Sequence, residues 1–155
     1  MEEANVPFLK WAGGKRWLIR NGAQLAPVRF NTYIEPFLGS GAVFFSLNPS
    51  RSILADVNTE LVDTYNAIKT NWKEVESQLR RHERNHDDSY YYKLRDSRPR
   101  TNVTRAARFI YLNRTCWNGL YRVNLNGKFN VPRGSKNNVV LDTDDFKKTS
   151  DLLQN

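Results

Sequence analysis

The most informative stretch of the sequence is TYIEPFLGSGAVFFSLNPSRSILAD, residues Thr32–Asp56. Its first residues are β-rich and apolar, and a glycine loop, Gly39–Gly41, follows them. Apolar residues between positions 42 and 47 predict a helix, and Ser52–Ala55 predicts a second buried strand that ends at Asp56. A strand, a glycine loop, a helix and a strand in this order indicate a βαβ unit, so the sequence predicts an α/β fold.

The glycine loop and Asp56 together indicate a site for a nucleoside cofactor. Glycine lets the backbone approach a ligand closely, and the helix that follows presents free N–H groups. An acid at the end of the second strand is placed to accept hydrogen bonds from a ribose hydroxyl. The alternative is a plain loop with a helix cap and no ligand.

Two other nucleotide sites fit the sequence poorly. The dinucleotide fingerprint requires a small residue where this chain has Phe44, which argues against an NAD-dependent enzyme. A P-loop is excluded because Arg16, instead of Ser or Thr, follows Gly14-Lys15. S-adenosylmethionine has no phosphate group and tolerates a bulkier start of the helix.

Helices are predicted on both sides of the βαβ unit. The first runs from Arg16 to about Gln24. After the second strand, Asn58 is placed to cap a helix whose apolar residues recur at helical spacing. Three further helices are predicted, from about Trp72, over Tyr90–Leu94 and over Thr104–Asn113.

A hairpin signal coincides with a block of positive charge. Two alternating segments, Tyr121–Leu125 and Lys128–Val131, flank Asn126-Gly127, which favours a β-hairpin. The net charge is +8, and residues 93–136 hold eleven basic side chains and one acidic side chain. Aromatic residues are interleaved with them. Such a block is typical of a surface that binds a polyanion, so nucleic acid is favoured over a merely solvated face.

Composition narrows the class of protein. At 155 residues the chain has about the size of one domain, and no apolar run is long enough to span a bilayer. The N-terminus lacks the basic start and apolar stretch of a secretion signal. A single cysteine, Cys116, excludes an internal disulfide framework and fits a reducing compartment. These features predict a cytoplasmic protein with no membrane partner.

One metal motif occurs in the sequence. His82-Glu83-Arg84-Asn85-His86 matches H-E-x-x-H, in which two histidines bind zinc and the glutamate is the general base. The chain has no other histidine to act as a third ligand, and catalytic zinc needs three protein ligands. We therefore interpret this segment as the solvated end of a helix and expect no metal.

Four blocks of the sequence resemble the Dam-type (D12 class) DNA adenine methyltransferases. FLKWAGGK, residues Phe8–Lys15, resembles the N-terminal motif of the family, and EPFLGSGAVFF, residues Glu35–Phe45, resembles its cofactor loop. Ala55–Asn58 is similar to the acidic second strand. Residues 111–132 resemble the target-recognition hairpin. The similarity follows the family's order from about residue 7 to residue 136.

The resemblance implies a fold and an activity. The fold would be an incomplete Rossmann-like methyltransferase domain with an inserted helical target-recognition region that bears the β-hairpin. The reaction would transfer a methyl from S-adenosylmethionine to the N6 amine of an adenine flipped out of double-stranded DNA, with a GATC-like target. The expected divisions are 1–57 for cofactor binding, 58–140 for target recognition and 141–155 for the return to the catalytic domain. The setting would be restriction-modification or DNA methylation in a bacterial or phage-infected cell.

The resemblance also implies which residues bind the cofactor. They are expected to be Trp11, Lys15, Glu35, Phe37, Gly39, Gly41 and Asp56. In this assignment Asp56 holds the ribose and Lys15 reaches the carboxylate. Trp11 offers its ring to the adenosine or the sulfonium, whereas ordinary core packing is the alternative for this side chain.

The implied DNA contacts lie at residue 10 and around the hairpin. They are expected to be Lys10, Trp117, Asn118, Leu120, Arg122 and Pro132. Arg122 would read a guanine, and Trp117 or Leu120 would wedge into the base stack beside the flipped adenine. The remaining basic residues are expected to contact phosphate or solvent: Arg105, Arg108, Arg114, Lys128, Arg133 and Lys136.

One motif of the family has no counterpart in this chain. Family members carry Asp/Asn-Pro-Pro-Tyr/Phe, which holds the target amine, and this sequence contains no Pro-Pro. No catalytic residue is therefore assigned here, and we expect a fragment whose catalytic segment is missing or belongs to another chain. The alternative is a catalytically inert DNA-binding remnant that acts as a regulator or decoy.

Overall fold

A computed structural model describes residues 6–22, 27 and 29–155 of the chain. The strands are β1 (Tyr33–Glu35) and β2 (Ser52–Leu54). The α-helices are α1 (Arg16–Gly22), α2 (Ala42–Leu47), α3 (Thr59–Arg84), α4 (Asp88–Asp96), α5 (Asn102–Thr115) and α6 (Phe146–Leu152). Gln24, the predicted end of the first helix, lies outside the described residues. The chain is thus a mixed helix and strand structure.

The two strands and the helix between them form the predicted βαβ unit, but the expectation that the second strand is buried is wrong, since Ile53 is 55% exposed. β1 pairs with β2 in parallel, with Tyr33 opposite Ser52 and Glu35 opposite Leu54. Helix α2 connects them, and it buries Phe44 and Phe45. Parallel strands place their carboxyl ends at one edge of the sheet. The loops that follow β1 and β2 therefore meet there.

Helix α3 is longer than the sequence pattern predicts. Asn58 caps it as expected, because its side-chain oxygen accepts a hydrogen bond of 3.0 Å from the backbone N–H of Leu61. The helix predicted to start near Trp72 is the second half of α3, and Asn71 marks the junction with a non-helical φ of −141°. Two predicted helices are therefore one element with a kink.

The hydrophobic core lies where α3 packs against α5 and α6. The apolar face of α3 is completely buried at Leu61, Ile68 and Leu79, and Ile110 of α5 is equally buried. Burial of such side chains stabilises a fold by about 1.5–3 kcal/mol each. This helical layer is the support on which the loops of the βαβ unit and the hairpin rest.

The predicted hairpin is shorter and more irregular than two paired strands. Its arms share one isolated antiparallel bridge, between Val123 and Phe129. The turn holds three residues instead of two, and Gly127 adopts a left-handed φ of 70°. The cause is Asn124, whose side-chain oxygen accepts 3.0 Å hydrogen bonds from the N–H groups of Asn126 and Lys128. Side-chain bonds of this kind compete with the strand ladder.

Arg114 is not a surface residue, so the expectation that it contacts phosphate or solvent is wrong. Its guanidinium, on α5, is 4% exposed and donates a hydrogen bond of 2.6 Å to each carboxylate oxygen of Asp144. The same group donates to the carbonyls of Phe8 and Val139. Arg114 therefore ties the N-terminal segment and residues 139–144 to the helical core.

The two histidines and the glutamate of the H-E-x-x-H segment have structural partners. Nδ1 of His82 lies 2.7 Å from the hydroxyl of Tyr90, and Nδ1 of His86 lies 2.7 Å from the hydroxyl of Tyr111. Glu83 accepts a hydrogen bond from the N–H of Val140. Burial lowers the pKa of His82 to about 4, so its ring is neutral near pH 7. In the described part of the chain, no three His, Cys, Asp or Glu side chains group as a metal site would require.

Within residues 6–22 and 29–155, no helix combines the length and the apolar character that a membrane span requires.

Candidate functional site

A cleft of about 260 Å³ lies at the carboxyl ends of the two strands. Its walls come from the glycine turn after Trp11 and from the loops that follow β1 and β2. A 2.9 Å hydrogen bond from the N–H of Leu38 to the carbonyl of Ala55 joins these two loops. The lining residues include five of the predicted cofactor contacts: Trp11, Lys15, Phe37, Gly39 and Asp56.

Asp56 holds the glycine loop in place. One carboxylate oxygen accepts a hydrogen bond of 2.9 Å from the N–H of Gly39, and the other accepts one of 2.9 Å from the N–H of Asn58. Each carboxylate oxygen can accept a second hydrogen bond. Asp56 therefore fixes the loop and keeps acceptor capacity at the wall of the cleft.

Gly39 and Gly41 are both required by close approaches. Gly39 has a φ of +54°, and a Cβ there would lie 2.9 Å from Cδ1 of Trp11. Gly41 has a φ of +67° at the N-terminus of α2, and its Cβ would lie 2.9 Å from the ring of Phe45. The hydroxyl of the buried Tyr65 donates to the carbonyl of Gly39 at 3.2 Å. Tyr65, on α3, thus contacts the glycine loop, a role that its place in a helical apolar pattern does not indicate.

Lys15 lies against Glu35 beneath the cleft. The ammonium is 2.8 Å from a carboxylate oxygen of Glu35, which is 4% exposed, and it also donates to the carbonyl of Phe37. The hydroxyl of Tyr33 donates to the second oxygen of Glu35 at 2.8 Å, and burial together with this bond raises the pKa of Tyr33. The ion pair with Glu35 and the hydrogen bond to Phe37 engage at most two of the three ammonium donors of Lys15, which leaves at least one for a ligand. Phe37 exposes its ring at the rim.

Trp11 separates this cleft from the hairpin. Its ring stacks on Tyr121 with the centroids 5.5 Å apart and on Phe109 with the centroids 6.2 Å apart, both at 28°. Tyr121 donates its hydroxyl to Glu60 at 2.8 Å. The sequence pattern predicts Tyr121 as an aromatic residue of the basic block and the first residue of the hairpin, with no contact to the cofactor cleft. The stack makes Trp11 a wall that the cleft and the hairpin share.

Several of the predicted DNA contacts meet beside the hairpin. The side chain of Lys10 crosses Gly119, where a Cβ would lie 2.7 Å from Cδ of the lysine. The N–H of Trp117 donates to the carbonyl of Pro132 at 2.9 Å. Asn118 has a left-handed φ of 55°. Lys10, Trp117, Asn118 and Pro132 are exposed, and Leu120 is half-buried.

Asn113 positions Lys10. Its side-chain oxygen accepts from the N–H of Lys10 at 2.9 Å, and its amide donates to the carbonyl of the same residue at 2.7 Å. The neighbouring Lys136, together with burial, lowers the pKa of Lys10 to about 8. Two lysines this close concentrate positive charge where an anionic or electron-rich ligand would relieve their repulsion.

Arg122 extends from the outer face of the hairpin. Its Nε donates to the side-chain oxygen of Asn130 at 2.9 Å, and the side chain is exposed. Anchoring through Nε leaves donors of the planar guanidinium free. Arg122 can therefore present them in a fixed direction.

The family profile of the D12 class N6 adenine-specific DNA methyltransferases matches residues 11–155. The chain belongs to this family. The resemblance of the four sequence blocks is thereby confirmed, and so is the assignment to the adenine-specific DNA methyltransferases.

Relatives of the D12 chain include restriction-modification enzymes and DNA adenine methylases. It is 40% identical over 156 residues to the type II methyltransferase M1.LlaDCHI of Lactococcus lactis subsp. cremoris, covering 96% of the chain and 55% of the relative. It is 39% identical to the type II methyltransferase M.MjaIII of Methanocaldococcus jannaschii, covering 96% and 59%. It is 40% identical to the DNA adenine methylase of Escherichia coli K12, covering 84% and 48%. The chain spans about half the length of these relatives.

Proposed function

We propose that this D12 chain supplies the cofactor-binding and DNA-reading parts of an enzyme that methylates adenine in double-stranded DNA. The donor would be S-adenosylmethionine, and the acceptor would be the N6 amine of an adenine flipped out of the helix. The proposal rests on the position of Trp11 between the cofactor cleft and the hairpin. Trp11 lines the cleft and stacks on Tyr121 at the root of the hairpin. A cofactor in the cleft and a base delivered from the hairpin would be neighbours.

The residues of the cleft fit S-adenosylmethionine. Asp56 has acceptor capacity for ribose hydroxyls, and Lys15 has one donor left for the carboxylate. The rings of Trp11 and Phe37 offer apolar and cation–π contact to the adenosine or the sulfonium. Bound there, S-adenosylmethionine supplies an activated methyl group on its sulfur. The chain's own part is to bind and orient it.

The catalytic motif would belong to a further segment that continues the sheet. Alternate N–H groups of a strand point to opposite edges. The N–H of Ala55 donates to the carbonyl of Glu35 on the β1 side, whereas the N–H of Ser52 donates to the carbonyl of Asn155 at 3.0 Å on the other side of β2. Ile34 and Ile53 lie side by side in register and are 62% and 55% exposed. Additional strands and a covering layer would bury them. The proposed whole is a Rossmann-like domain, with residues 58–140 as the inserted recognition region.

The test combines cofactor binding and methyl transfer. Calorimetric titration of the 155-residue chain with S-adenosylmethionine should show binding. The chain should also bind a DNA duplex that contains a GATC site. Methylation is expected only when a C-terminal segment bearing Asp-Pro-Pro-Tyr, taken from a relative, is added. Robust methylation by the 155 residues alone would contradict the claim that catalysis needs that segment. Salt-dependent DNA binding without cofactor affinity would instead favour an inert DNA-binding module.

Replacing Gly39 with alanine should weaken cofactor binding. The new Cβ would meet Trp11 at 2.9 Å and deform the wall of the cleft, besides the cost of a left-handed φ. Gly127→Ala is the matched control, because Gly127 has a φ of +70° and nothing lies within 4 Å of its Cβ. We expect the affinity for S-adenosylmethionine to fall at least about tenfold in Gly39→Ala only, which corresponds to about 1.4 kcal/mol. Equal affinities in the two variants would contradict the role of Gly39.

Replacing Arg122 with alanine should relax base discrimination. A bidentate arginine–guanine contact contributes about 1–3 kcal/mol at one base pair. Binding should be measured against duplexes that differ at each position of the target. Arg122→Lys is the control, since it keeps the charge and loses the bidentate geometry, so it should also lose discrimination. Uniform weakening on every duplex would make Arg122 a phosphate contact instead.

A further inference from the structure

Two buried tyrosines donate hydrogen bonds to backbone carbonyls at the two candidate sites. Tyr65 of α3 is 4% exposed, and its hydroxyl donates to the carbonyl of Gly39 at 3.2 Å. Tyr91 of α4 is fully buried, and its hydroxyl donates to the carbonyl of Val131 at 3.0 Å. Neither tyrosine is among the predicted cofactor or DNA contacts. The hydroxyls of four other tyrosines pair with side chains instead: Tyr33, Tyr90, Tyr111 and Tyr121.

The two hydroxyls are not needed to fill the core. Phenylalanine would occupy the same space without a polar group, and a buried hydroxyl costs free energy unless it is hydrogen-bonded. Burial raises the pKa of Tyr65 and of Tyr91, and the nearby charges of Glu35 and Asp56 raise the pKa of Tyr65 further. Both hydroxyls therefore keep their protons near pH 7. What each adds to the core is a fixed position for one carbonyl.

Tyr65 completes the restraint on Gly39 in the cofactor loop. The N–H of Gly39 donates to Asp56 at 2.9 Å, so hydrogen bonds hold the peptide groups on both sides of its Cα. Glycine has more conformational freedom than any other residue, and here it must keep a φ of +54° with the ring of Trp11 against it. Without the hydroxyl of Tyr65, the peptide that follows Gly39 would be free to rotate beside the wall of the cleft.

Tyr91 holds the returning arm of the hairpin in a similar way. The peptide between Val131 and Pro132 has a carbonyl but no N–H group, because proline lacks one. The carbonyl of Val131 is therefore the single hydrogen-bonding group of that peptide, and Tyr91 is its donor. The next carbonyl, that of Pro132, accepts from the N–H of Trp117 at 2.9 Å. Pro132 and Trp117 are both predicted DNA contacts, so Tyr91 acts one peptide away from the segment expected to face DNA.

We infer that Tyr65 and Tyr91 are positioning residues, the first for the cofactor loop and the second for the arm of the hairpin that reads DNA. These roles rest on the proposed function, which places S-adenosylmethionine in the cleft and DNA on the hairpin. Both side chains are buried and neither lines the cofactor cleft, so each acts through the carbonyl that it holds. The two roles are separable, because the tyrosines belong to different helices and hold different loops.

Replacing each tyrosine with phenylalanine removes only the hydroxyl, so each variant is the matched control for the other. Tyr65→Phe should weaken the binding of S-adenosylmethionine about threefold to tenfold, because the glycine loop loses one restraint, and it should leave discrimination among duplexes unchanged. Tyr91→Phe should lower the preference for the target duplex over duplexes with one altered base pair by a similar factor, and it should leave the affinity for S-adenosylmethionine unchanged. Calorimetric titration measures the first quantity, and fluorescence anisotropy with labelled duplexes measures the second.

Nuclear magnetic resonance provides a local readout that a general loss of stability would not change. The chain has eight glycines, so isotopic labelling of glycine alone gives few amide signals, and the variant Gly39→Ala identifies the signal of Gly39. Without any ligand, this signal should shift or broaden in Tyr65→Phe, because the carbonyl of the same residue is released. It should keep its position in Tyr91→Phe.

The outcomes separate the roles of the tyrosines from the proposed function. If the unmodified chain binds S-adenosylmethionine and prefers its target while both variants keep these properties, the positioning roles are overturned alone. Equal losses of cofactor affinity and of discrimination in both variants would indicate a general loss of packing and would overturn them as well. If the unmodified chain binds neither ligand, the proposed function is refuted and the two roles with it. Circular dichroism at the assay temperature confirms that both variants are folded.

Discussion

Arg114→Ala is expected to lower the free energy of unfolding by about 3–5 kcal/mol, the largest change in stability that we predict. The guanidinium is 4% exposed, and it satisfies the buried carboxylate of Asp144 and the carbonyls of Phe8 and Val139 at once. Alanine would leave Asp144 charged and unpaired in the interior. Chemical denaturation followed by circular dichroism measures the loss.

Two further variants distinguish the loss of the buried ion pair from a general loss of packing. Arg114→Lys keeps the charge but loses the bidentate geometry, so its stability should fall between that of alanine and that of the unmodified chain. Arg114→Met/Asp144→Leu removes both charges together, and it should be more stable than Arg114→Ala, because no charge remains uncompensated. A loss below about 1 kcal/mol in Arg114→Ala would show that Asp144 finds another partner or solvent.

Arg114 also shows what charge counting can and cannot predict. Arg114 and Arg122 lie in the same basic block, yet the first is buried and the second is exposed. The difference depends on Asp144, which is 30 residues away in the sequence and outside the block. A net charge predicts a polyanion-binding region, but only the tertiary structure decides which cations face outward.

The meeting of the loops after β1 and β2 could be predicted well because both loops belong to one supersecondary unit. β1, α2 and β2 formed where the pattern placed them, and parallel pairing necessarily brings Gly39 and Asp56 together at one edge. The stack of Trp11 on Tyr121 could not be predicted in the same way, since the two residues are 110 positions apart in the sequence. Only the packing of the helices brings them together. The sequence pattern does not predict the three-residue turn, because it depends on one side chain, Asn124, which accepts backbone hydrogen bonds from Asn126 and Lys128.

Asp56→Ala is expected to weaken the binding of S-adenosylmethionine at least about 100-fold, or about 2.7 kcal/mol, the largest effect on a ligand that we predict. The substitution removes the acceptor for ribose hydroxyls. It also frees the N–H groups of Gly39 and Asn58, each of which now donates to the carboxylate at 2.9 Å. A hydrogen bond to a charged group contributes about 1.5–3 kcal/mol, so the glycine loop should lose its fixed conformation as well. Calorimetric titration measures the affinity.

Asn58→Ala and Asp63→Ala show whether the loss of affinity is specific to Asp56. Asn58→Ala removes the cap of α3, where its side chain accepts from Leu61 at 3.0 Å, and should cost about 1 kcal/mol of stability while the affinity stays unchanged. Asp63→Ala removes an exposed carboxylate of the same helix and should change neither quantity. If Asn58→Ala weakened cofactor binding as much as Asp56→Ala, the role of Asp56 would be to stabilise the start of α3, and the ribose contact would be refuted. Retained affinity in Asp56→Ala would refute it more directly, because Asp56 is the one carboxylate among the described residues that line the cleft.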